Sequence, residues 1–182
     1  MKTLLKSLLL FSLCCLSATA VEKPESLPGI VMDDDEAEYQ GNWTASNAQP
    51  TPIGDRYRHD ANTDRGKKSA TFTATIPKAG DYEIRFLYSP HDNRSTKTKI
   101  TVAGASKEKT FRINQREPVI KDGVPNALGL FRFEAGAKVR VTVSNEGADS
   151  YVIVDGLQIL LPSRLLHRVL DGDTEQRSRR PR

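Results

Sequence analysis

Two histidine–aspartate pairs, His59-Asp60 and His91-Asp92, are the residues best able to do chemistry in this 182-residue chain. Imidazole and carboxylate together can ligate a divalent metal if two such loops converge. Three histidines in all, with no cysteine beyond position 15, make a thin ligand set. No metal site is therefore expected from them. Asp60, Asn62, Asp92 and Asn93 are also ordinary turn formers, because their short polar side chains bond to nearby backbone. The reading adopted lies between these. His59, Asp60, Asn62, Asn93 and Arg94 form a polar loop cluster whose mixed donors and acceptors suit sugar hydroxyls. Arg94 can add a bidentate grip on a carboxylate. Of Tyr57, Tyr88 and Tyr151, Tyr88 stands near the Asn93-Arg94 loop and is expected to be the exposed ring.

Asp33-Asp34-Asp35-Glu36, followed by Glu38, is the one acidic run. Hard cations such as calcium bind carboxylate oxygens, but the run lacks the ligand spacing of an EF-hand loop. It is read as a solvated strand end, with a structural calcium as the alternative and no other cofactor expected. Trp43, the single tryptophan, admits two readings: a core residue, or a ring on which a sugar stacks. No Gly-x-Ser-x-Gly elbow and no phosphate loop occur, so no catalytic residue is assigned. Paired carboxylates for glycoside hydrolysis stay open, because separation in space decides that chemistry. Asn42-Trp43-Thr44 and Asn93-Arg94-Ser95 fit the glycosylation sequon, which matters only in a eukaryotic secretory route.

The elements that must position these residues are strands. Ala70, Phe72, Ala74 and Ile76 alternate with threonines. After the turn Pro77-Lys78-Ala79-Gly80-Asp81, Tyr82, Ile84, Phe86 and Tyr88 alternate with Glu83, Arg85 and Leu87. The two runs read as a β-hairpin. Ile100 and Val102, Phe111 and Ile113, Phe131 and Phe133, and Val139, Val141 and Val143 repeat the period of two. Tyr151 to Leu160 reads as one long, final strand. One polar and one apolar face per strand is the pattern of antiparallel sheets with a single buried face. The expected fold is an all-β, two-sheet antiparallel β-sandwich, jelly-roll-like.

Lys2 and Lys6, the apolar stretch from Leu8 to Leu16, and Ala18-Thr19-Ala20 predict a signal peptide over 1–20. The chain is then exported, to the periplasm or beyond the cell, without stable membrane insertion. Residues 21–29 are a lead-in, 30–161 the sandwich, and 162–182 a basic tail, disordered apart from a short helical candidate over Ser163 to Leu170. Both cysteines lie in the signal, so no disulfide is available to the domain. The net charge of +4 comes from the ends, since 19 basic residues face 20 acidic ones between Val21 and Leu161. A near-neutral body argues against nucleic acid as partner.

Ordered along the chain, these pieces resemble a known family. They include Gly29-Ile30-Val31-Met32-Asp33-Asp34, Gly41-Asn42-Trp43, Arg58-His59-Asp60-Ala61-Asn62, Ala79-Gly80-Asp81-Tyr82-Glu83-Ile84, Leu128-Gly129-Leu130-Phe131 and Val154-Asp155-Gly156-Leu157. The resemblance is to the carbohydrate-binding-like β-sandwich domain named after golvesin and the C-terminal region of xanthan lyases. It implies a domain often attached to secreted lyases, hydrolases or oxidoreductases, and sugar binding. The expected function is a secreted non-catalytic binding module for carbohydrate or a secreted partner enzyme. The alternatives are a standalone polysaccharide-acting enzyme and a structural subunit without a small ligand.

Overall fold

The computed structural model describes residues 27–121, 124–125 and 127–162. The expected signal peptide, most of the lead-in and nearly all of the tail lie outside these residues. Among the described residues, fourteen strands occur in chain order. β1 is Ile30–Asp33, β2 Glu38–Gln40, β3 Thr44–Ser46 and β4 Tyr57–His59. β5 is Ser69–Thr75, β6 Gly80–Leu87, β7 Thr98–Ala103 and β8 Lys109–Ile113. β9 is Ile120–Lys121, β10 Val124–Pro125, β11 Ala127–Phe133 and β12 Lys138–Ser144. β13 is Ile153–Val154 and β14 Gly156–Leu160. Among the described residues, no helix is long and apolar enough to cross a membrane.

Every strand pair is antiparallel. One sheet has four strands in the order β1-β14-β6-β11, and another has five in the order β2-β5-β12-β7-β8. Two small sheets, β13-β4-β3 and β10-β9, complete the set. The period of two decides what faces inward. Ala70, Phe72 and Ala74 of β5, Val139, Val141 and Val143 of β12, and Ile100 and Val102 of β7 are buried from one sheet. Ile84, Phe86, Phe131, Phe133, Leu157 and Ile159 are buried from the other, in the same hydrophobic cluster. The Phe111 and Phe131 rings meet edge to face across the two sheets, with centroids 6.3 Å apart. Each large side chain so buried contributes about 1.5–3 kcal/mol.

Two sequence readings of the strands are corrected. β5 and β6 do not form a hairpin: β5 pairs with β2 and β12, whereas β6 pairs with β14 and β11. The turn between them is an arch from one sheet to the other. It is tied to the turn that precedes β12, where Ile76 N–H donates to Ala137 O (2.9 Å) and Gly136 N–H donates to Ile76 O (2.8 Å). Alternation sets which face of a strand is buried but not which strand lies beside it. Likewise, Tyr151 to Leu160 is not one strand. It breaks at Asp155, with Ile153–Val154 pairing with β4 and Gly156–Leu160 joining β1 and β6.

The reading of the acidic run as a solvated strand end holds for Asp35, Glu36 and Glu38, which are exposed, and fails for Asp34. Asp33 caps a single 3-10 turn, Asp34–Glu36. Its carboxylate accepts from Asp34 N–H (2.7 Å) and from the Glu36 backbone N–H, while the Glu36 carboxylate reaches back to accept from Asp33 N–H (2.9 Å). That reciprocal box turns the chain inward and leaves Asp34 fully buried.

Candidate functional site

The loop residues singled out from sequence come from two segments, one after β4 and one after β6. The seam between them is Ser150 to Val152. Asp60 N–H donates to Val152 O (3.2 Å), and Ser95 N–H donates to Tyr151 O (2.8 Å). Ser150 Oγ donates to Asn93 O (2.7 Å). The His59 and Tyr151 rings meet edge-on at 5.7 Å. The structure therefore brings His59, Asp60, Asn62, Asn93 and Arg94 to one end of the sandwich, around Tyr151.

They do not all face solvent. Asp60 is buried, and its carboxylate organises the loop. Oδ1 accepts from Asn62 N–H (2.9 Å) and Val152 N–H (3.0 Å), and Oδ2 accepts from Asn145 Nδ2 (3.1 Å). Ala61 and Asn62 adopt left-handed backbone, with φ of 55° and 56°, a conformation that asparagine tolerates well. Lys68 Nζ, also buried, donates to Asp60 O (2.7 Å). Half-buried His59 accepts the Ala61 N–H at Nδ1 (3.1 Å), which leaves its proton on Nε2. Burial, with the Arg94 and Lys68 charges, holds the His59 pKa below the usual histidine range, against the opposing pull of Asp60.

Arg94 is only 5% exposed. Its Nε donates to Ser89 O (3.3 Å), Nη1 to Asn93 Oδ1 (2.9 Å) and Nη2 to the Tyr57 hydroxyl (3.1 Å). The guanidinium lies over the Tyr57 ring, 5.3 Å from its centroid. All these partners are neutral, and no carboxylate pairs with Arg94 among the described residues. Tyr88 is 1% exposed, so the expectation of an exposed ring is corrected. Its hydroxyl donates to Glu117 O (3.1 Å) and Asn114 O (3.3 Å), and burial, helped by the Glu117 charge, pushes its pKa up to about 12. Tyr151 is the half-exposed tyrosine at this end, and Asn93 is exposed. The rim open to a ligand thus consists of His59, Asn62, Asn93 and Tyr151.

Sequence reasoning missed the residues that fix this rim. Asn145 Nδ2 also donates to Thr63 O (3.0 Å), and its Oδ1 accepts from Gly66 N–H (2.8 Å). Asp149 accepts from Ser95 Oγ (3.0 Å), Thr96 N–H (2.8 Å) and Thr96 Oγ1 (2.5 Å). Those bonds, the Thr96 hydroxyl first, hold its carboxyl well below the usual range. Asn145-Glu146-Gly147-Ala148-Asp149-Ser150 reads in sequence only as a turn. No spacing rule links it to loops more than fifty residues away.

The convergent carboxylates lie elsewhere. Asp34, with Asp155 near it, is fully buried. Arg58 Nε stands 2.9 Å from Asp34 Oδ2, near enough for a Coulombic pair although not aligned as a hydrogen bond. Arg56 and Arg58 both bond Asp35. Burial, reinforced by Asp35 and Asp33, raises Asp34 from 3.8 to about 6 against the pull of both arginines. Asp155 accepts from Ile53 N–H at Oδ1 (3.1 Å), while its Oδ2 has no partner. Burial, with the Asp33 and Asp34 charges, raises it to about 8. A buried acid pair has no route for a glycosidic bond, so this geometry does not fit acid–base hydrolysis. Among the described residues, no group of three or more His, Cys, Asp or Glu is placed to hold a metal.

Two concavities bear on ligands. One of about 480 Å³ is lined by Leu27, Leu87, Val119 and five prolines, with Thr51, Arg85, Tyr88 and Gln158 as its polar side chains, and is too apolar to suit hydroxyl-rich ligands. Another of about 280 Å³ is polar and crosses β2, β5 and β12. Trp43 falls between its two sequence readings. It is half-buried, tilts on Tyr39 at 5.5 Å, and donates Nε1–H to Gln40 O (3.1 Å).

Residues 30–161 match the Golvesin C-terminal domain family. The chain is 31% identical over 144 residues to a xanthan lyase of Bacillus sp. (strain GL1), across 76% of this chain and 15% of that enzyme. The structure of a Paenibacillus xanthan lyase superposes with a TM-score of 0.66 at 30% identity, covering 72% of this chain and 13% of that one. A family 35 carbohydrate binding module from Clostridium thermocellum superposes with a TM-score of 0.50 at 14% identity. That match covers 72% of this chain and 98% of the module, and shows a shared fold. The chain spans about 15% of the lyase sequence it matches.

Proposed function

This chain belongs to the Golvesin C-terminal domain family, and from that premise we propose that it is an exported, non-catalytic carbohydrate-binding module. The sandwich, read as jelly-roll-like, presents its ligand at the loop end around Tyr151. One observation carries the site: Arg94 is buried beneath Asn93 with only neutral partners. A buried cation without a counter-charge leaves positive potential at the surface above it. Sugar hydroxyl oxygens, and more strongly a uronate carboxylate, complement that potential. His59 Nε2–H, the side-chain amides of Asn62 and Asn93, and the Tyr151 hydroxyl supply the directional bonds.

The test is a glycan array on the full chain, followed by calorimetric titration of whichever glycan binds. Asn93→Ala and Tyr151→Phe should each weaken binding about tenfold, the value of one or two lost hydrogen bonds, with the melting temperature unchanged for Tyr151→Phe and lowered by only a few degrees for Asn93→Ala, whose Oδ1 also holds Arg94. Full retention of binding by both variants would remove the site from this end. Failure of every glycan on the array would remove the carbohydrate reading itself.

A further inference from the structure

The outward face of the five-stranded sheet is polar from edge to edge. Strand register aligns Glu38, Thr71, Thr142, Thr101 and Thr110 in a single row across all five strands. The threonines are joined in pairs: the Thr71 and Thr142 hydroxyls lie 3.0 Å apart, and those of Thr101 and Thr110 3.1 Å. At ordinary strand spacing the row is about 19 Å long, the span of a short oligosaccharide. Threonine suits strands in any case, so these hydroxyls alone identify nothing.

The cations beside the row identify more. Arg140 and Lys138 stand exposed on β12, and neither has an acidic partner among the described residues. On the other side of the row, Lys99 is paired to Glu146 (2.6 Å), and Arg112 donates to Lys97 O (3.0 Å) and Glu146 O (2.6 Å). The free charge therefore sits on the Arg140 side. The face is also concave across the row at this edge: the 280 Å³ groove is lined by Glu38, Gln40, Ser69, Thr71, Arg140 and Thr142, with Tyr39 beside them.

We propose that this groove and row form a second saccharide site, distinct from the loop end, that takes an acidic polysaccharide strand laid across β2, β5 and β12. Arg140 holds a uronate carboxylate through its planar fork, and Lys138 adds a point charge. Thr71 and Thr142 spend one proton on each other and keep one donor and several lone pairs for ring hydroxyls. Gln40 and Ser69 continue the hydrogen-bonding surface, and Glu38 accepts from hydroxyls at the far edge. The face carries no large exposed apolar side chain, so a second copy of the chain has little area to bury there.

The experiment is affinity electrophoresis of the full chain in gels containing polygalacturonate, and in gels containing the same polymer with its carboxyls reduced to alcohols. The acidic polymer should retard the protein, the neutral one should not, and added salt should weaken the effect as it screens exposed charge. Arg140→Gln should weaken retardation about tenfold, as expected for one charged hydrogen-bonded pair. Arg140→Lys should fall between that variant and the parent, and both should keep the parental melting temperature. Arg132→Gln, an exposed arginine on the four-stranded sheet, should retain full retardation, which shows that the loss at Arg140 is not a general effect of lowering the charge. The inference is overturned if polygalacturonate fails to retard the chain, or if the reduced polymer retards it equally. It is also overturned if Arg140→Gln behaves as the parent, or if neutralising Arg179 and Arg180 in the tail abolishes the effect instead.

Discussion

Asp155→Asn should make the protein less sensitive to alkali, and the size of the effect follows from where Asp155 sits. Its carboxyl is fully buried between β13 and β14, with Oδ1 bonded to Ile53 N–H and Oδ2 unpartnered. Burial, with the Asp33 and Asp34 charges, raises its pKa from 3.8 to about 8. The folded state therefore keeps a proton that the unfolded chain releases near pH 3.8. Stability from this group is fully present below that value, falls as pH rises, and is gone above the folded pKa. Each pH unit in the linear part of the window costs about 1.4 kcal/mol. Asp34, raised to about 6, adds a loss of the same sign at lower pH. His59, held low, contributes the opposite slope up to the usual histidine value.

Comparing parent and variant at two pH values cancels those two contributions. Between about pH 6 and about pH 7.5, a carboxyl titrating near 8 loses about 2 kcal/mol of stabilisation. In a domain of this size that corresponds to about 8 °C in melting temperature. Asparagine keeps the Oδ1 acceptor and cannot ionise. Urea unfolding at the two pH values should show the parent losing about 2 kcal/mol more than the variant. Parallel losses in the two proteins would show that Asp155 does not titrate in that interval, and that burial and the nearby charges have been misjudged.

Arg94→Ala should destabilise the domain by about 3 kcal/mol in chemical unfolding, because it removes three hydrogen bonds and a cation–π contact from a buried position. Asn93→Ala, which removes one of those three acceptors at an exposed position where water can replace it, should cost about 1 kcal/mol; equal effects would contradict the burial described for Arg94. Dialysis against a chelator should shift the melting temperature little, since the Asp34 and Asp35 carboxylates already face Arg56 and Arg58. A loss of several degrees, restored by calcium and not by magnesium, would instead place a calcium ion among Asp33, Asp34 and Asp155.

The alternating runs told the truth about faces: Phe72, Ile84, Val141 and Phe133 are all buried as their period required. They said nothing of neighbours. β5 and β6 look like a hairpin in sequence because a turn joins two alternating runs, yet an arch between sheets leaves the same pattern. The break at Asp155 was hidden for a related reason. Apolar residues surround it, and one buried acid does not interrupt a hydrophobic count. The polar loops were harder still. Asp60 and Arg94 read as surface residues because charged side chains are almost never fully buried unless paired. Here Asp60 is satisfied by Asn62, Asn145 and Val152, and Arg94 by Ser89, Asn93 and Tyr57, partners that only the closed fold assembles.

That assembly bears on how such a domain can bind anything. Both cysteines, Cys14 and Cys15, lie within the first twenty residues, so no disulfide can staple the loops of residues 21–182. Loops left free would lose conformational entropy on meeting a ligand, about 1–2 kcal/mol for each residue fixed. The chain prepays that ordering in folding, through side chains that bond backbone across long separations. Asp60 holds Val152, Asn145 holds Gly66 and Thr63, and Asp149 holds Thr96. Buried Gln115 bonds both Ile153 N–H and Ile153 O. The buried polar residues are then the frame, and the contacts proposed above for a ligand are the less buried side chains at its rim. On that division, His59 and Tyr151 should be replaceable with little cost to folding, and Asn62 and Asn93 with a moderate one, set by the left-handed backbone of Asn62 and the Asn93 bond to Arg94. Asp60, Arg94, Asn145 and Asp149 should not, whatever the ligand proves to be.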